Sequence, residues 1–329
     1  MWPPAANNVG NDMFAIICDM QVGLVAIDGC FSSGVAALLD ILHTAAAHRS
    51  TVDPAIPDIG VHVLGTGSQV TMSAGLGLPV DRPLSDIDQF GVVVVPAMGT
   101  MTGDDTLSAL GGADARRLIA TLAGLDRAGH TFAAACTGVF PVAEAGLLQD
   151  RRATTSWWLW PAFRRRYPTV TLDVDAMVVA DTDTITAGAA FAHIDLALAL
   201  VRRVSPALAQ HVARLLVIDQ RASQSSYVAL DHLSHNDPMV LAFERHVRRH
   251  LDESLDVGEV AADIGTSRRT LERRTAAALG MSPLAVIQRL RVERATHLMR
   301  TTDHSLDRIA AQVGYANASS LRTLMRRVL

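Results

Sequence analysis

The sequence predicts an α/β domain with a mostly parallel sheet covered by helices, followed by an all-α domain with two helix-turn-helix units. Three observations lead to this prediction. Short β-branched runs alternate with helical patterns over the first two thirds of the chain, this alternation stops after Val217, and a seven-residue motif occurs twice beyond Pro238. Alternating strands and helices favour a parallel sheet with helices on both faces.

Five segments of the first part have the β-branched and apolar content of strands. They are residues 13–18, 61–64, 90–96, 131–136 and 170–179. The third contains four consecutive valines and is apolar on both faces, as a buried parallel strand requires. The spacing of apolar residues predicts helices over residues 34–47, 113–128 and 189–204.

Length and charge distribution both indicate two domains. A chain of 329 residues exceeds what one hydrophobic core usually serves. Residues 245–329 carry 15 Arg against 9 acidic residues, a balance of +6, whereas the rest of the chain has a balance of −10. We predict an α/β domain at residues 1–222, a polar linker at 223–237 and a helical domain at 238–329. The basic end suits a polyanion such as nucleic acid.

Other classes of protein lack support in the sequence. The N-terminus has no basic stretch followed by a long apolar run, and no uncharged apolar segment reaches the roughly 18 residues of a membrane span. Cys18, Cys30 and Cys136 show no metal-ligand spacing. We therefore expect a cytoplasmic protein, associated with the nucleoid when bound to DNA, with no membrane contact, metal or cofactor.

An internal repeat carries the strongest signal in the chain. Residues 259–265, EVAADIG, recur 49 residues later as residues 308–314, RIAAQVG. Two steeply crossing helices need a small side chain where they approach, and the tight turn favours a Gly at positive φ. Asp256 and Glu259 are spaced as a capping box, which predicts a helix start just before the first copy.

A long helix is predicted between the two units. Ser282 and Pro283 form an N-cap followed by Pro at the first helical position, and the helical pattern runs to about Arg300. Such a helix is roughly 27 Å long at 1.5 Å per residue. It is long enough to hold two recognition helices about one DNA turn apart.

The helices after the two turns present residue types that contact DNA. Arg forms bidentate bonds with guanine, while Ser, Thr and backbone amides commonly bind phosphates. A solvated basic face is the alternative for either helix alone, but two copies in register on the basic segment favour DNA binding. The candidates are Ser267, Arg268, Arg269, Thr270, Arg273 and Arg274 in the first unit, and Asn317, Ser319, Ser320, Arg322 and Arg326 in the second.

These segments closely resemble the AraC/XylS family of transcription regulators. The motifs are residues 266–274, 280–284, 289–295 and 309–315, and the match spans about residues 241–329. The resemblance implies binding to double-stranded promoter DNA. Thr275 stands where the family usually has a core Phe, and the chain ends at Leu329, before the Gly-x-Ser-Pro segment that usually follows. We therefore expect the first recognition helix to carry most of the sequence specificity.

Residues 131–138, TFAAACTG, place Cys136 where a strand ends and a helix begins. One hypothesis is that helix amides at this elbow stabilise a thiolate, so that the pKa of Cys136 is lowered and the thiol is reactive. The other is that Cys136 is a small buried hydrophobic residue.

The continuation at residues 142–155 resembles the PfpI-type, class I glutamine-amidotransferase-like domain of GlxA-like regulators. The resemblance covers about residues 13–219, with residues 195–198 as a weaker match. It implies a flavodoxin-like sheet with a pocket at the carboxyl ends of the strands, where ligands of open α/β sheets bind. We expect this pocket to hold a small-molecule effector. Its predicted residues are Cys136, Thr137, Ser32, Ala97, Met98, Ser156, Trp157 and His193.

Several residues argue against catalysis in this pocket. Ser156 stands where related regulators often have a His, and it cannot act as a general base near neutral pH. An acidic residue is expected near the start of the first helix, but residues 31–34, FSSG, contain none, and Ala97 and Met98 stand where a pair of glycines is usual. His193 is the remaining candidate base. The chain is therefore predicted to be a regulator and not an enzyme, with an effector, a second copy of the chain and RNA polymerase as further partners.

Two alternatives stay open for the N-terminal domain. One is a PfpI-superfamily amidase or hydratase that uses Cys136 and also binds DNA. The other is a domain that only mediates oligomerisation. A cavity lined by Cys136, Ser32 and Trp157 would favour effector sensing, whereas a filled one would favour oligomerisation.

Three further features have mainly structural interpretations. Residues 157–160, WWLW, either line a cleft or, as we expect, pack at the domain edge. Residues 164–166 are an Arg run of the kind that is usually solvated. His246 and His250 have the i, i+4 spacing of a metal-binding pair, but no third ligand accompanies them, so we expect a solvated helix face.

Overall fold

The computed structural model describes residues 19–219, 221, 223–224 and 237–328. The strands are β1 Met20–Val25, β2 Ile59–Gly65, β3 Gln69–Thr71, β4 Gly77–Pro79, β5 Arg82–Pro83, β6 Val92–Val95, β7 Thr131–Ala135, β8 Arg152–Ala153, β9 Thr171–Leu172, β10 Val178–Asp181 and β11 Thr184–Ala187. The helices are α1 Ser32–Val52, α2 Gly103–Ala109, α3 Ala113–Ala123, α4 Val139–Glu144, α5 Trp160–Arg166, α6 His193–Val204, α7 Pro206–Leu215, α8 Pro238–Arg249, α9 Val257–Asp263, α10 Arg268–Leu279, α11 Pro283–Thr301, α12 Leu306–Gln312 and α13 Ala318–Val328.

The N-terminal domain is built on a mostly parallel sheet, as predicted. Within the described residues, seven strands pair in the order β10-β11-β7-β6-β1-β2-β5. Every neighbouring pair is parallel except β10 and β11, which are antiparallel. Because β1, β6, β7 and β11 run in one direction, their carboxyl ends meet at one edge of the sheet, where ligands of such sheets bind.

Helices cover both faces of this sheet. On one face α1, α6 and α7 pack together over a core that contains Val22, Val94 and Leu196. On the other face Val93 and Val95 pack with residues of α3, α4 and α5. Consecutive valines of β6 thus point to opposite faces and are buried on both, as predicted for a central parallel strand.

Two predicted strands have no single counterpart among the described strands. The predicted strand at residues 13–18 lies outside the described residues, and the first described strand, β1, was not predicted. The predicted strand at residues 170–179 was wrong, because it is divided into β9 and β10. The carboxylate of Asp173 accepts hydrogen bonds from the backbone N–H groups of Asp175 (3.2 Å) and Ala176 (3.1 Å). This side-chain turn competes with strand pairing and breaks the segment.

The predicted helices are present with shifted ends. The helix predicted at residues 113–128 ends at Ala123, where Gly124 closes its last turn. The helix predicted at residues 189–204 begins only at His193, after a short 3₁₀ turn at Ala190–Ala192. The turn starts from Ala189 at φ 72°, and its geometry delays the helix by one turn.

The described residues from 237 onwards form helices and connecting turns, as predicted, with two separate cores. The first core gathers apolar residues of α8, α9, α10 and the start of α11. The second is smaller and gathers residues of α12, α13 and the end of α11, including Ala295, Ile309 and Leu321. The long helix α11 therefore belongs to both units and connects them.

Candidate functional site

The two copies of the repeated motif form the same turn. Ala261 and Ala310 are both completely buried where two helices meet. Gly265 and Gly314 have φ of 75° and 74°, as the tight turn required. The next residue in each copy donates its backbone N–H to the buried Ala, at 2.8 Å in the first unit and 2.9 Å in the second. The structure therefore contains two helix-turn-helix units of matching local geometry.

Side chains cap the helices of these units at the predicted positions. The carboxylate of Asp256 accepts hydrogen bonds from the backbone N–H groups of Gly258 and Glu259 at the start of α9. Ser267 and Ser282 accept from the third residue of α10 and of α11, respectively. Each such cap typically contributes about 1 kcal/mol to helix stability. The local sequence thus fixes where both the first recognition helix and the connecting helix begin.

The first recognition helix, α10, has three distinct faces. Leu271, Thr275 and Leu279 point into the first core and are buried. The flank that includes Arg274 faces Asp237 and helix α5 of the sheet domain. Arg269 and Arg273, four residues apart and therefore on one face, are exposed. Arg269 and Arg273 therefore lie on a face of α10 that is open to solvent.

Two other predicted DNA-binding arginines of α10 already have partners. The Nε atom of Arg268 donates to Glu272 at 3.0 Å on the exposed surface. Nη1 of Arg274 donates to both carboxylate oxygens of Asp237, at 3.0 and 3.1 Å. Burial alone would raise the pKa of Asp237, but the bonds from Arg274 and from the N–H groups that start α8 outweigh it and hold that pKa below its usual value. Arg274 is thus tied to the start of the helical domain.

The remaining predicted residues of the first unit lie at the start of α10. Ser267 is exposed and caps the helix, and its hydroxyl lies 2.9 Å from that of Thr270, which is half-buried. Both hydroxyls sit beside the helix N-terminus, where backbone N–H groups and the helix dipole favour an anion such as a phosphate.

The second recognition helix, α13, presents a more uniformly open face. Asn317 accepts a hydrogen bond from the backbone N–H of Ser320 at 2.9 Å and caps the helix. Asp307 of α12 accepts from the backbone N–H of Ala318 at 2.8 Å, which ties the two helices of this unit together. The other predicted contacts of the second unit, Ser319, Ser320, Arg322 and Arg326, are all exposed.

Arg291 of α11 connects the two units and was not predicted to do so. It is largely buried, and its Nη2 atom donates to the carbonyl oxygen of Glu253 in the first unit. Its guanidinium lies over the ring of Tyr315 in the second unit, 5.3 Å from the ring centroid. It also lies so close to Gly314 that a Cβ there would be 2.6 Å from its Nη2 atom. Arg291 therefore fixes the spacing of the units along α11.

Thr275 fills the position at which the related family usually has a core Phe. It is completely buried, and its hydroxyl donates to the carbonyl oxygen of Leu271 at 2.9 Å, one turn back in α10. The polar atom is therefore satisfied within the helix.

Trp160 of the sheet domain also contributes to the first core of the helical domain. Trp160 is completely buried and packs in the first core of the helical domain, together with residues such as Val240, Phe243 and Leu271. Its indole N–H donates to the carbonyl oxygen of Thr155 at 3.1 Å. Trp157 and Trp160 therefore pack between the two domains, while Trp158 and Leu159 pack in the sheet domain, which agrees with the prediction of a packed cluster at the domain edge.

Gln224, at the start of the predicted linker, is also completely buried against the sheet domain. Its Nε2 atom donates to the carbonyl oxygen of Thr155, and its Oε1 atom accepts from the backbone N–H of Trp157, both at 3.1 Å. The neighbouring Ser223 forms a β-bridge with Ala176. The segment from Thr155 to Trp160 is thus fixed by hydrogen bonds from Gln224 and by the indole N–H of Trp160.

Cys136 stands at a strained elbow directly after β7. Its φ is 55°, a left-handed value that is uncommon for a residue other than glycine. Gly138 follows at a point where a Cβ would lie 2.4 Å from the carbonyl oxygen of Pro96. The elbow therefore aims the thiol towards the carboxyl edge of the sheet, as predicted, and Gly138 permits the close approach of β6.

The hypothesis of a lowered Cys136 pKa was wrong. The thiol is buried, and this burial raises the pKa of Cys136 above its ordinary value, although hydrogen bonds from Ser156 and Thr137 oppose the shift. The hydroxyl of Ser156 donates to Sγ at 2.9 Å and accepts from the backbone N–H of Ala189 at 3.0 Å. Burial outweighs the elbow geometry, so the thiol stays protonated near neutral pH.

His193 is buried close to this elbow but in a fixed, neutral form. Its Nε2 atom accepts a hydrogen bond from the backbone N–H of Ala97 at 3.0 Å, so Nδ1 carries the proton and faces the carbonyl oxygen of Ala190. Burial lowers the pKa of His193 to about 4. The ring also packs on Gly34, where any Cβ would collide with it. Both ring nitrogens are occupied, which leaves no lone pair for proton abstraction from Cys136.

The other predicted pocket residues lie around the same edge and bond to one another or to neighbouring loops. The hydroxyl of Thr137 donates to the carbonyl oxygen of Met98 at 2.7 Å. The hydroxyl of Ser32 accepts from the backbone N–H of Ala74 at 2.9 Å. Trp157 is half-buried and packs with the helical domain. The predicted set is thus brought to one edge, but Trp157 faces the domain interface.

A cavity of about 280 Å³ lies where β1 and β6 end. Of the predicted pocket residues Met98 belongs to its described lining, whereas Cys136, Ser32 and Trp157 do not, so the predicted lining was wrong. Asp28 and Gly29 form one wall, Met98 and Gly99 another, and the first turn of α3 a third. Asp28 accepts a hydrogen bond from the backbone N–H of Thr71 at 2.8 Å, which fixes its carboxylate. The size is close to the lower limit of small-molecule pockets, about 300 Å³.

The Arg run at residues 164–166 is only partly solvated, because Arg164 is half-buried between the domains. The rings of His246 and His250 stack with centroids 4.5 Å apart. Within the described residues, no group of three or more His, Cys, Asp or Glu side chains is placed to hold a metal ion. No described helix combines the length and apolar character that a membrane crossing requires.

A mostly parallel sheet domain joined to two helix-turn-helix units with exposed basic recognition helices defines a DNA-binding transcription regulator. Comparison with known proteins agrees. Residues 20–203 match the model of the DJ-1/PfpI family, and residues 260–329 match a helix-turn-helix domain. The chain therefore belongs to the DJ-1/PfpI family through its sheet domain and is a transcription regulator of the AraC type.

The chain is also similar to individual transcription regulators. The chain is 31% identical over 264 residues to the HTH-type transcriptional regulator CdhR of Pseudomonas aeruginosa, covering 78% of this chain and 75% of that protein. It is 28% identical over 206 residues to the HTH-type transcriptional regulator ArgR of the same species, covering 61% of this chain and 62% of that one. A crystal structure of an AraC family transcriptional regulator from Pseudomonas putida shares the fold, with a TM-score of 0.50 and 21% sequence identity. The match covers 60% of this chain and 98% of that one.

Proposed function

We propose that this regulator reads its promoter site mainly through Arg269 and Arg273 of the first recognition helix. The observation that carries the proposal is the division of α10 into three faces, which leaves these two arginines exposed while Arg274 is bonded to Asp237. An exposed Arg on a recognition helix can form bidentate bonds with guanine in the major groove. Ser267 and Thr270 at the helix start are suited to hold a phosphate.

The second unit would then mainly position the protein on the duplex. Its exposed polar set of Ser319, Ser320, Arg322 and Arg326 matches the residue types that commonly contact phosphates. The fixed length of α11, 19 residues or about 28 Å, supports simultaneous contact with successive major grooves about 34 Å apart. A footprint of the full chain on a selected operator tests this: two protected segments about one turn apart are expected, and a single segment contradicts it.

We further propose that the sheet domain binds a small-molecule effector in the cavity between Asp28, Met98 and α3. Its position at the carboxyl ends of β1 and β6 supports this, because parallel sheets bind ligands at that edge. A thermal-shift screen with amino acids, amines and nitrogen metabolites would identify a ligand. Ala113→Trp, which fills the cavity, should abolish the shift, while Ala123→Trp on the exposed surface of the same helix should not.

The enzyme alternative is disfavoured by the chemistry of the elbow. Acyl transfer needs a thiolate and a base, whereas burial raises the pKa of Cys136 and both nitrogens of His193 are engaged. We therefore propose that Cys136 is a structural residue of the sensor domain. A second copy of the chain, RNA polymerase and location on the nucleoid stay predictions.

A further inference from the structure

A second cavity, of about 290 Å³, lies where three parts of the molecule meet. Trp160 and Asp175 of the sheet domain form one side. Met281 and Arg289, from the beginning of the connecting segment, form another. The third comes from Arg327 near the end of the second recognition helix. A molecule in this cavity would touch the sensor domain and both helix-turn-helix units at once.

The cavity wall contains a buried cation. Arg289 is only 8% exposed, although a guanidinium is almost never buried without compensation. Burial lowers the pKa of Arg289, while the negative charges of Asp175 and Glu293 act in the opposite direction without cancelling the shift. The cavity wall therefore carries a desolvated guanidinium group, with the carboxylates of Asp175 and Glu293 near it.

Another arginine, Arg164, is half-buried and lies next to the cavity. Arg164 lies directly against Gly280, since a Cβ at that glycine would be 2.6 Å from its Nη1 atom. Burial lowers the pKa of Arg164, and no charged neighbour among the described residues opposes that shift. Because Gly280 is itself part of the cavity wall, Arg164 adds positive potential to the same place.

The charges of this junction favour a negatively charged ligand. Arg289 and Arg327 line the cavity, Arg164 reinforces them, and Asp175 is the one carboxylate in the described lining. We propose that the junction binds a small anion with a carboxylate or phosphate group, held by the guanidinium groups of Arg289 and Arg327. Guanidinium groups bind both kinds of anion through paired, charge-assisted hydrogen bonds.

Binding here would link an anion to the arrangement of the DNA-binding units. An anion that contacts all three parts stabilises the arrangement in which they meet. By linkage, if the anion changes the affinity of the protein for DNA, then DNA changes the affinity of the protein for the anion by the same factor. This site differs from the effector cavity at the sheet edge, which is lined by Asp28, Met98 and α3. The two proposals can therefore fail independently.

The same phosphate chemistry could be supplied by the DNA backbone. Burial of Arg289 argues against this source, because a duplex cannot enter a cavity of about 290 Å³ between two domains. The two sources also differ in the salt dependence of DNA binding. Loss of one phosphate contact reduces the magnitude of the salt slope by about 1, whereas loss of a small-anion site leaves the slope unchanged.

Isothermal titration calorimetry of the full chain tests the proposal. Inorganic phosphate and citrate are titrated separately, at constant ionic strength in chloride. We expect saturable binding that is weakened about tenfold or more in Arg289→Gln and in Arg327→Gln. Asp175→Asn should tighten binding, because it removes the competing carboxylate. Arg117→Gln, an exposed arginine on α3, is the matched control and should bind as the wild type does.

Three results would overturn the proposal. One is the absence of saturable binding of either anion to the folded wild type. Another is equal affinity in the wild type, Arg327→Gln and Asp175→Asn; these two variants change exposed or rim positions, so the test does not depend on Arg289→Gln folding. The third is a salt slope of DNA binding that falls in Arg289→Gln, which would assign this arginine to the DNA backbone.

Discussion

The indole N–H of Trp160 donates to the carbonyl oxygen of Thr155, and Thr155 in turn donates its hydroxyl to the carbonyl oxygen of Cys136 at 2.7 Å. The same Trp160 ring packs in the core under the first recognition helix. Two hydrogen bonds therefore separate the elbow of the sheet domain from the interior of a DNA-binding unit. A change at the carboxyl edge of the sheet has a short physical route to α10.

Replacing Trp160 tests this connection. Trp160→Ala should lower the free energy of unfolding by about 3–5 kcal/mol, because it leaves a cavity in the first core of the helical domain. The affinity for an operator should fall as well, since α10 loses its support from α5. Chemical denaturation followed by circular dichroism and DNA titration would measure both effects. Trp158→Ala, at a half-buried ring outside that core, is the control, and equal behaviour of the two variants would refute the coupling.

His193 predicts a specific pH dependence of stability. Its pKa is about 4 in the folded chain and about 6.5 when unfolded, so between these values the unfolded chain binds more protons and stability rises with pH. The contribution is complete above pH 6.5 and is lost as the pH falls towards 4. Between pH 7 and pH 5 the loss should be about 2 kcal/mol.

His193→Gln isolates this contribution, because a Gln side chain can still accept the hydrogen bond from Ala97. Urea denaturation at pH 7 and pH 5 should show that the variant loses about 2 kcal/mol less stability than the wild type over this interval. The acidic residues titrate in both proteins and cancel in the comparison. The same loss in both proteins would mean that His193 is not held neutral in the folded state.

Cys136 should be slow to react and should not support turnover. Burial and a raised pKa both reduce the thiolate that alkylating reagents need, so native protein at pH 7.5 should label far more slowly than protein in urea. Peptide mass spectrometry resolves this for Cys136, with Cys30, whose pKa burial raises to about 11, as an internal comparison. Hydrolysis of amides and hydration of nitriles by the wild type and Cys136→Ala should be equal. Cysteine-dependent turnover would restore the enzyme alternative, with His193 the first base to test.

The arginines of the recognition helices should differ in what their loss changes. Arg269→Ala or Arg273→Ala should cost about 1–3 kcal/mol on the cognate site and relax preference at one base position, as loss of a guanine contact does. Arg326→Ala should weaken all sequences about equally, as loss of a phosphate contact does. Binding to a library of single-base operator variants measures both. If Arg326→Ala relaxed base preference and the α10 variants did not, the roles would be reversed.

Local signals in the sequence predicted the helical domain well, because its helices begin at side-chain caps. Asp256, Ser267 and Ser282 are short polar residues directly before apolar patterns, and each accepts backbone hydrogen bonds at the expected position. Gly265 and Gly314 likewise have the positive φ that the repeated turn demanded. At these positions the residue that starts or turns a helix lies within four residues of the backbone groups it affects, so the sequence alone predicts the helix start or turn.

The sequence predicted less well those features that depend on residues far away along the chain. Trp160 belongs to the sheet domain by sequence but to the helical core by packing, and no local pattern records that contact. Cys136 shows the same limit, since the sequence left a stabilised thiolate and a buried thiol both open, and only the surrounding burial decides between them. At residues 170–179 the apolar content predicted one strand, but the carboxylate of Asp173 formed a turn that composition alone did not reveal.

The most direct test of the account is the affinity of the full chain for duplex DNA, measured by fluorescence anisotropy on a sequence selected from genomic fragments and on a scrambled duplex. Two helix-turn-helix units on a domain with a charge balance of +6 predict that the selected sequence binds at least about a thousandfold more tightly. Both affinities should fall steeply as salt rises, because phosphate contacts release counterions. Equal affinity of the folded protein for both duplexes, or binding that does not respond to salt, would contradict the assignment.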